Sequence, residues 1–131
     1  MPAFQSLTPN LVVSDIVRSL SFYRDLLGFS VVTTVPENEP FLFVWLQRGE
    51  VQVFLNAQQA AAAEYPEIAA KIAGGSWTMF IVTDAIDDLH NSLAGKVRVV
   101  MPLETKFYGM REFAITDPDG FVITFAERVA P

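Results

Sequence analysis

The sequence predicts an α+β fold: two tandem βαβββ modules forming a curved mixed sheet, with helices on its convex side and a cavity on its concave side. Three observations carry this expectation. Apolar residues alternate in short runs, as in half-buried strands, and change to three- and four-residue spacing after an aspartate. That strand–aspartate–helix–glycine order occurs twice, with starts about 70 residues apart. Finally, 131 residues with 51% hydrophobic content suit one shared core better than two independent domains.

The elements follow in order. Leu7 to Val13 alternates as a strand, and Pro9 within it removes a backbone donor and favours an edge or a subunit-exchanged position. Asp15 is placed to cap a helix in which Ile16, Leu20, Tyr23 and Leu27 share a face, and Gly28 stops it. Strands are expected at Val31 to Val35, Phe41 to Gln47 and Val51 to Asn56, the last two joined at Arg48 and Gly49. An alanine-rich helical connector from Ala57 to Ala73 is broken by Pro66 and closed by Gly74 and Gly75.

The second module then repeats the first. Its strand starts at Trp77, which is in phase with Met79 and Ile81 and is assigned to the core. Asp84 is the expected cap of a helix carrying Ile86, Leu89 and Leu93, Gly95 its stop, and strands follow at Val97 to Met101, Arg111 to Thr116 and Phe121 to Ala126. Asp117, Pro118, Asp119 and Gly120 form a turn. The expected domain is residues 1–131 as a whole, with a first module at about 4–57, the connector at about 58–75 and a second module at about 76–129.

Composition removes several functions. Without cysteine there is no thiolate nucleophile, zinc finger, iron–sulfur cluster or disulfide framework. A net charge of −6, with nine basic residues scattered among fifteen acidic ones, argues against nucleic acid as a partner and mildly favours a cationic ligand. No leader-like N-terminus and no run long enough for a membrane span is present, so a cytoplasmic protein with no membrane partner is expected.

Strand phase suggests where function lies. One phase of each strand is uniformly apolar and should face a helix. The other phase mixes hydroxyls, amides and aromatics: Thr8 and Asn10; Phe43 and Trp45; Gln52, Phe54 and Asn56; Thr78 and Phe80; Thr124. Five strands place no Lys, Arg or Glu there, which fits a pocket wall better than a wet sheet face. Tyr108, beside Phe107 and Gly109, is read as a pocket lid or a subunit contact. Arg111 and Glu112 are read as ligand contacts or as partners of neighbouring strand residues. His90 is assigned to the surface or boundary of the second helix.

The duplicated pattern, with "VSDIVRSLSFYRDLLGF" near the start and "DPDGFVITF" near the end, resembles the vicinal oxygen chelate superfamily of glyoxalases, extradiol dioxygenases and bleomycin resistance proteins, over essentially the whole chain. Metal enzymes of that family hold a divalent ion with one His or Glu from each of four strands. The resemblance maps those positions onto Thr8, Phe54, Thr78 and Thr124, none of which can replace a carboxylate or imidazole. "YGMREFAITDPDGFVITFAE" looks most like the bleomycin resistance branch, which implies a homodimer that sequesters a cationic, planar ligand without transforming it.

The expectation is therefore metal-independent small-molecule binding, bleomycin-resistance-like, with no cofactor and no catalytic residue. The pocket wall is assigned to Thr8, Asn10, Phe43, Trp45, Gln52, Phe54, Thr78, Phe80, Tyr108, Arg111, Glu112 and Thr124. The alternative is a lyase, isomerase or dioxygenase of the same fold with a non-standard or absent metal site. A purely structural or protein-interaction role is the third class.

Overall fold

In the first unit, Met1–Ala73, the chain runs through β1 (Asn10–Val13), α1 (Ile16–Leu20, continued by a π-helical stretch Ser21–Leu26), β2 (Ser30–Val35), β3 (Phe43–Arg48), β4 (Val51–Ala57) and α2 (Gln58–Glu64). The second unit, Gly74–Pro131, contains β5 (Thr78–Val82), α3 (Ile86–Leu93), β6 (Arg98–Thr105), β7 (Met110–Thr116) and β8 (Val122–Arg128). The structure, a computed structural model, describes residues 1–68 and 77–129. The alanine-rich segment is helical over Gln58–Glu64, and its closing Gly74 and Gly75 lie outside the described residues.

Each unit forms a four-stranded mixed sheet, in the order β1-β4-β3-β2 and β5-β8-β7-β6, so the α+β class and the tandem pattern hold. In each, the first strand runs parallel to the last and the remaining pairs are antiparallel. The pairing follows from the connections: β3 and β4, and β7 and β8, meet through short turns, whereas a helix separates β1 from the strands that follow. β1 is shorter than the alternation suggests. Pro9 has no N–H to donate, but its carbonyl still accepts from Phe54 N at 2.9 Å.

One phase of the inner strands is buried under a helix, as it is in β1, whereas the edge strands β2 and β6 have no buried residue. In the first unit Leu11, Val13, Val44, Leu46, Val53 and Leu55 are buried, and α1 adds Ile16, Leu20, Phe22 and Tyr23. In the second, Phe113, Ile115, Ile123 and Phe125 are buried, and α3 adds Ile86 and Leu93. Each fully buried Leu, Ile or Phe contributes about 1.5–3 kcal/mol, so these two apolar layers dominate the folding free energy. The assigned phases place the helix on the correct side of both sheets.

Local details separate the two helices. Asp15 caps α1 as its spacing suggests, its Oδ1 accepting from Arg18 N at 3.2 Å. Gly28 ends that segment at φ 76°, and Arg48 Nη1 donates to the Leu27 carbonyl at 2.6 Å, satisfying a helix-end acceptor from a distant strand. In α3 the expected cap fails: the capping position is Ala85, not Asp84, and it offers no side-chain bond. Glu127 on β8 takes over, its Oε1 accepting from Ile86 N at 3.1 Å. Glu127→Ala should therefore cost about 1 kcal/mol, seen as a lower urea midpoint with an unchanged m-value.

Trp77 also departs from its core assignment. It precedes β5 and is 43% exposed, resting edge-on against Phe121 with centroids 5.7 Å apart. The turn before β8 is formed as expected, because Asp117 Oδ1 accepts from Asp119 N and Phe121 N, both at 2.9 Å, and Gly120 takes φ 90°. That turn fixes the register of β8 against β7, and with it the direction in which Thr124 and Glu112 point.

Candidate functional site

The face of each sheet opposite its helix carries the assigned polar and aromatic residues. In the first unit the register sets Trp45 beside Phe54 and Phe43 beside Asn56 on β3 and β4, while β1 sets Asn10 beside Phe54. Phe43 and Phe54 are 5.1 Å apart between centroids, and Trp45 meets Phe54 edge-on at 5.8 Å. Gln52 stands one pair further along this face, opposite Gln47, and Thr8 lies two residues before Asn10 in the same phase. Asn56, which the sequence places on this face but outside the pocket set, donates through Nδ2 to Asn10 Oδ1.

One donor on this face lacks an acceptor. Trp45 Nε1 is buried and, among the described residues, has no hydrogen-bond partner. A buried N–H left unpaired costs roughly 1–3 kcal/mol, so an unpaired indole beside two phenyl rings is a feature that a ligand acceptor atom would relieve.

In the second unit the corresponding face carries Thr78 and Phe80 on β5, Thr124 on β8 and Glu112 on β7. The register joins Phe80 to Thr124, Thr124 to Ala114 and Glu112 to Ala126. Small residues thus surround the two polar ones. Phe80 remains 56% exposed, while Glu112 is only 4% exposed. Tyr108, on the β6–β7 connection, donates its hydroxyl to Glu112 Oε2 at 2.9 Å. That bond, and the nearby Glu112 and Glu104 charges, raise the Tyr108 phenol above its ordinary value. In Glu112→Gln the phenol should ionise at lower pH than in the parent, measured as the 295 nm absorbance difference.

Glu112 has no cation beside it among the described residues. Lys106 Nζ approaches Glu104 at 3.6 Å, and Glu104 is the β6 residue in register with Glu112. A buried carboxylate with one neutral donor and a like-charged strand partner is poorly compensated, and a cationic ligand group would complete it.

Arg111 does not belong to this set. It lies in the phase of Phe113 and Ile115, on the helix side, where Nη2 and Nε reach Asp87 Oδ1 of α3 at 3.0 and 3.2 Å. Its Nη1 also donates to Thr105 Oγ1 at 3.2 Å. The alternation running back from Ile115 already contained this signal. His90 packs edge-on against Phe113 at 5.1 Å, half-buried, on the same helix side.

The geometry bears directly on metal chemistry. Thr8, Phe54, Thr78 and Thr124 offer two lone-pair hydroxyls per face at best, and no group of three His, Asp or Glu side chains suited to an ion occurs among the described residues. These residues do not fit the divalent ion that the resemblance brings with it.

Residues 5–125 match the family model described as the Glyoxalase/Bleomycin resistance protein/Dioxygenase superfamily. The chain belongs to that superfamily. Among curated relatives of this superfamily member, the bleomycin resistance protein of Geobacillus stearothermophilus is 27% identical over 130 residues, covering 92% of this chain and 95% of that protein. A superfamily member from Sphaerobacter thermophilus superposes with TM-score 0.77 at 25% identity, covering 95% of this chain and 98% of the other. The bleomycin-binding protein from Streptomyces verticillus, solved with copper(II)-bleomycin, superposes with TM-score 0.64 over all of both chains at 22% identity, a likeness of fold. Among the described residues, no helix of this superfamily member is long and apolar enough to cross a membrane.

Proposed function

We propose that this protein binds and sequesters a small organic molecule without a metal and without transforming it, in the manner of a bleomycin resistance protein. The observation that carries the reading is the Phe43–Phe54–Trp45 cluster with its unpaired indole N–H, standing on a sheet face that lacks ligands for an ion. Aromatic rings of this kind stack on planar ligands and attract cations, and the hydrogen-bond donor fixes orientation. On the second unit's own sheet face, Glu112, held by the Tyr108 hydroxyl, offers a counter-charge to a cationic group. The bleomycin resistance proteins among its relatives support the choice of ligand class.

A homodimer accompanies this reading. Met1, Phe4 and Leu7 are fully or almost fully exposed, as are large parts of Phe80 and Val82, and a second copy is the simplest means of covering them.

The experiment is a thermal-shift titration with bleomycin, with the ligand's metal removed, on parent and Trp45→Phe protein. Binding restricted to the native state must raise the melting temperature, by the equivalent of about 2.7 kcal/mol at a hundred times Kd. The parent should shift and Trp45→Phe, which keeps an aromatic ring but loses the indole N–H, should shift less. An equal shift in both would remove the indole from the site, and no shift in the parent would remove bleomycin as the ligand.

A further inference from the structure

A cavity lies at one end of the first unit's sheet. It has a volume of about 850 Å³, and none of the twelve assigned pocket-wall residues lines it. It is built entirely within the first unit, where the parallel strands β1 and β4 end side by side, with Val13 in register with Ala57. Each strand leads straight into a helix, β1 through Ser14 and Asp15 into α1 and β4 through Ala57 into α2. The segment joining β2 to β3 closes the third side with Glu39, Pro40, Phe41 and Leu42. Outside the carboxyl ends of parallel strands is where α/β sheets commonly receive ligands, because the chain diverges there and leaves a crevice. The volume falls within the usual range for small-molecule sites.

Its chemistry is one-sided. Two carboxylates, Asp15 and Glu39, and two carboxamides, Gln58 and Gln59, line it, and no Lys or Arg does. Asp15 spends one oxygen, Oδ1, on the α1 cap. Two guanidiniums stand nearby: Arg18 Nη2 donates to the lining Ser14 Oγ at 2.8 Å, and Arg24, within electrostatic range of Glu39, is paired with Asp25 at 2.8 Å. The remaining wall is apolar. Ile16, Val17, Pro40, Leu42 and Ala62 provide it, and Val17, at 65% exposure, is a large aliphatic side chain left open at the rim. Apolar walls with carboxylates and amide carbonyls, and no Lys or Arg among the lining residues, complement one ligand type.

The geometry points to a second ligand site at the ends of β1 and β4 that takes an organic cation with an apolar body, of the aryl-amidinium or alkylammonium class. It is distinct from the sheet-face site, since the two share no residue.

The test uses benzamidine as the probe, with benzamide as its neutral analogue and benzoate as its anionic one, followed by amide chemical shifts on the full chain. Benzamidine should shift the amides of Ala57, Gln58, Gln59 and Ala62. Benzamide and benzoate should bind at least tenfold more weakly. The Asp15→Asn, Glu39→Gln double variant keeps a side chain able to cap α1 and should lose about tenfold in benzamidine affinity. Val17→Lys, at an exposed position that folding does not depend on, should abolish binding by placing a cation at the rim. Trp45→Phe should leave benzamidine binding here unchanged. Absence of shifts at these amides, equal binding of benzamide, or unchanged affinity in Val17→Lys would each overturn the proposal.

Discussion

Glu112→Gln is expected to lower affinity for a cationic ligand by about 30-fold or more while leaving the free protein at least as stable as the parent. The two effects have one cause. Glu112 is buried to 4% exposure with a single neutral donor, the Tyr108 hydroxyl, and faces Glu104 across β6. Glutamine keeps an acceptor for Tyr108 at nearly the same volume and removes the desolvated charge, which relieves the free protein. In the complex the loss runs the other way, since truncating one member of a buried charge pair typically costs 2–5 kcal/mol, of which 2 kcal/mol is about 30-fold. Urea denaturation of the free protein and calorimetric titration with ligand read the two halves separately. A variant that loses stability and retains affinity would show that Glu112 holds the hairpin and not the ligand.

Phe113→Ala is the substitution with the largest expected effect on folding, about 3–5 kcal/mol. Phe113 is fully buried on β7, one of the two inner strands, where its ring meets Phe125 at 5.4 Å and His90 at 5.1 Å. Its removal opens a cavity between sheet and α3 that the β7–β8 ladder cannot close. Against a typical total of 5–15 kcal/mol, this should lower the melting temperature by roughly 10 °C or more, read by calorimetry. Thr124→Ala, on the opposite face, should change stability by much less.

The strand phases were legible in the sequence because alternation is a local property: Phe121, Ile123 and Phe125 can only lie on one side of β8, and Thr124 on the other. The Asp15 cap and the Gly28 stop were legible for the same reason, as both act within one turn of the helix that they bound. Contacts between distant segments were not. Nothing near Asp84 indicates that Glu127, some forty residues later, will accept from Ile86 N, nor does Arg48 announce that it will reach the Leu27 carbonyl. The sequence leaves Arg111 as a ligand contact or a partner of neighbouring residues, and its phase, which puts it under α3 beside Asp87, selects the second. The aromatic cluster followed from phase alone; the unpaired Trp45 N–H and the burial of Glu112 needed side-chain positions.

Ligand binding without an ion is the core of the proposed function. Its most direct test is calorimetric titration of metal-free bleomycin into the protein before and after dialysis against a strong chelator. Saturable binding with the same Kd in both preparations is expected. Binding that disappears after chelation and returns with Zn²⁺, Ni²⁺, Mn²⁺ or Fe²⁺ would contradict it.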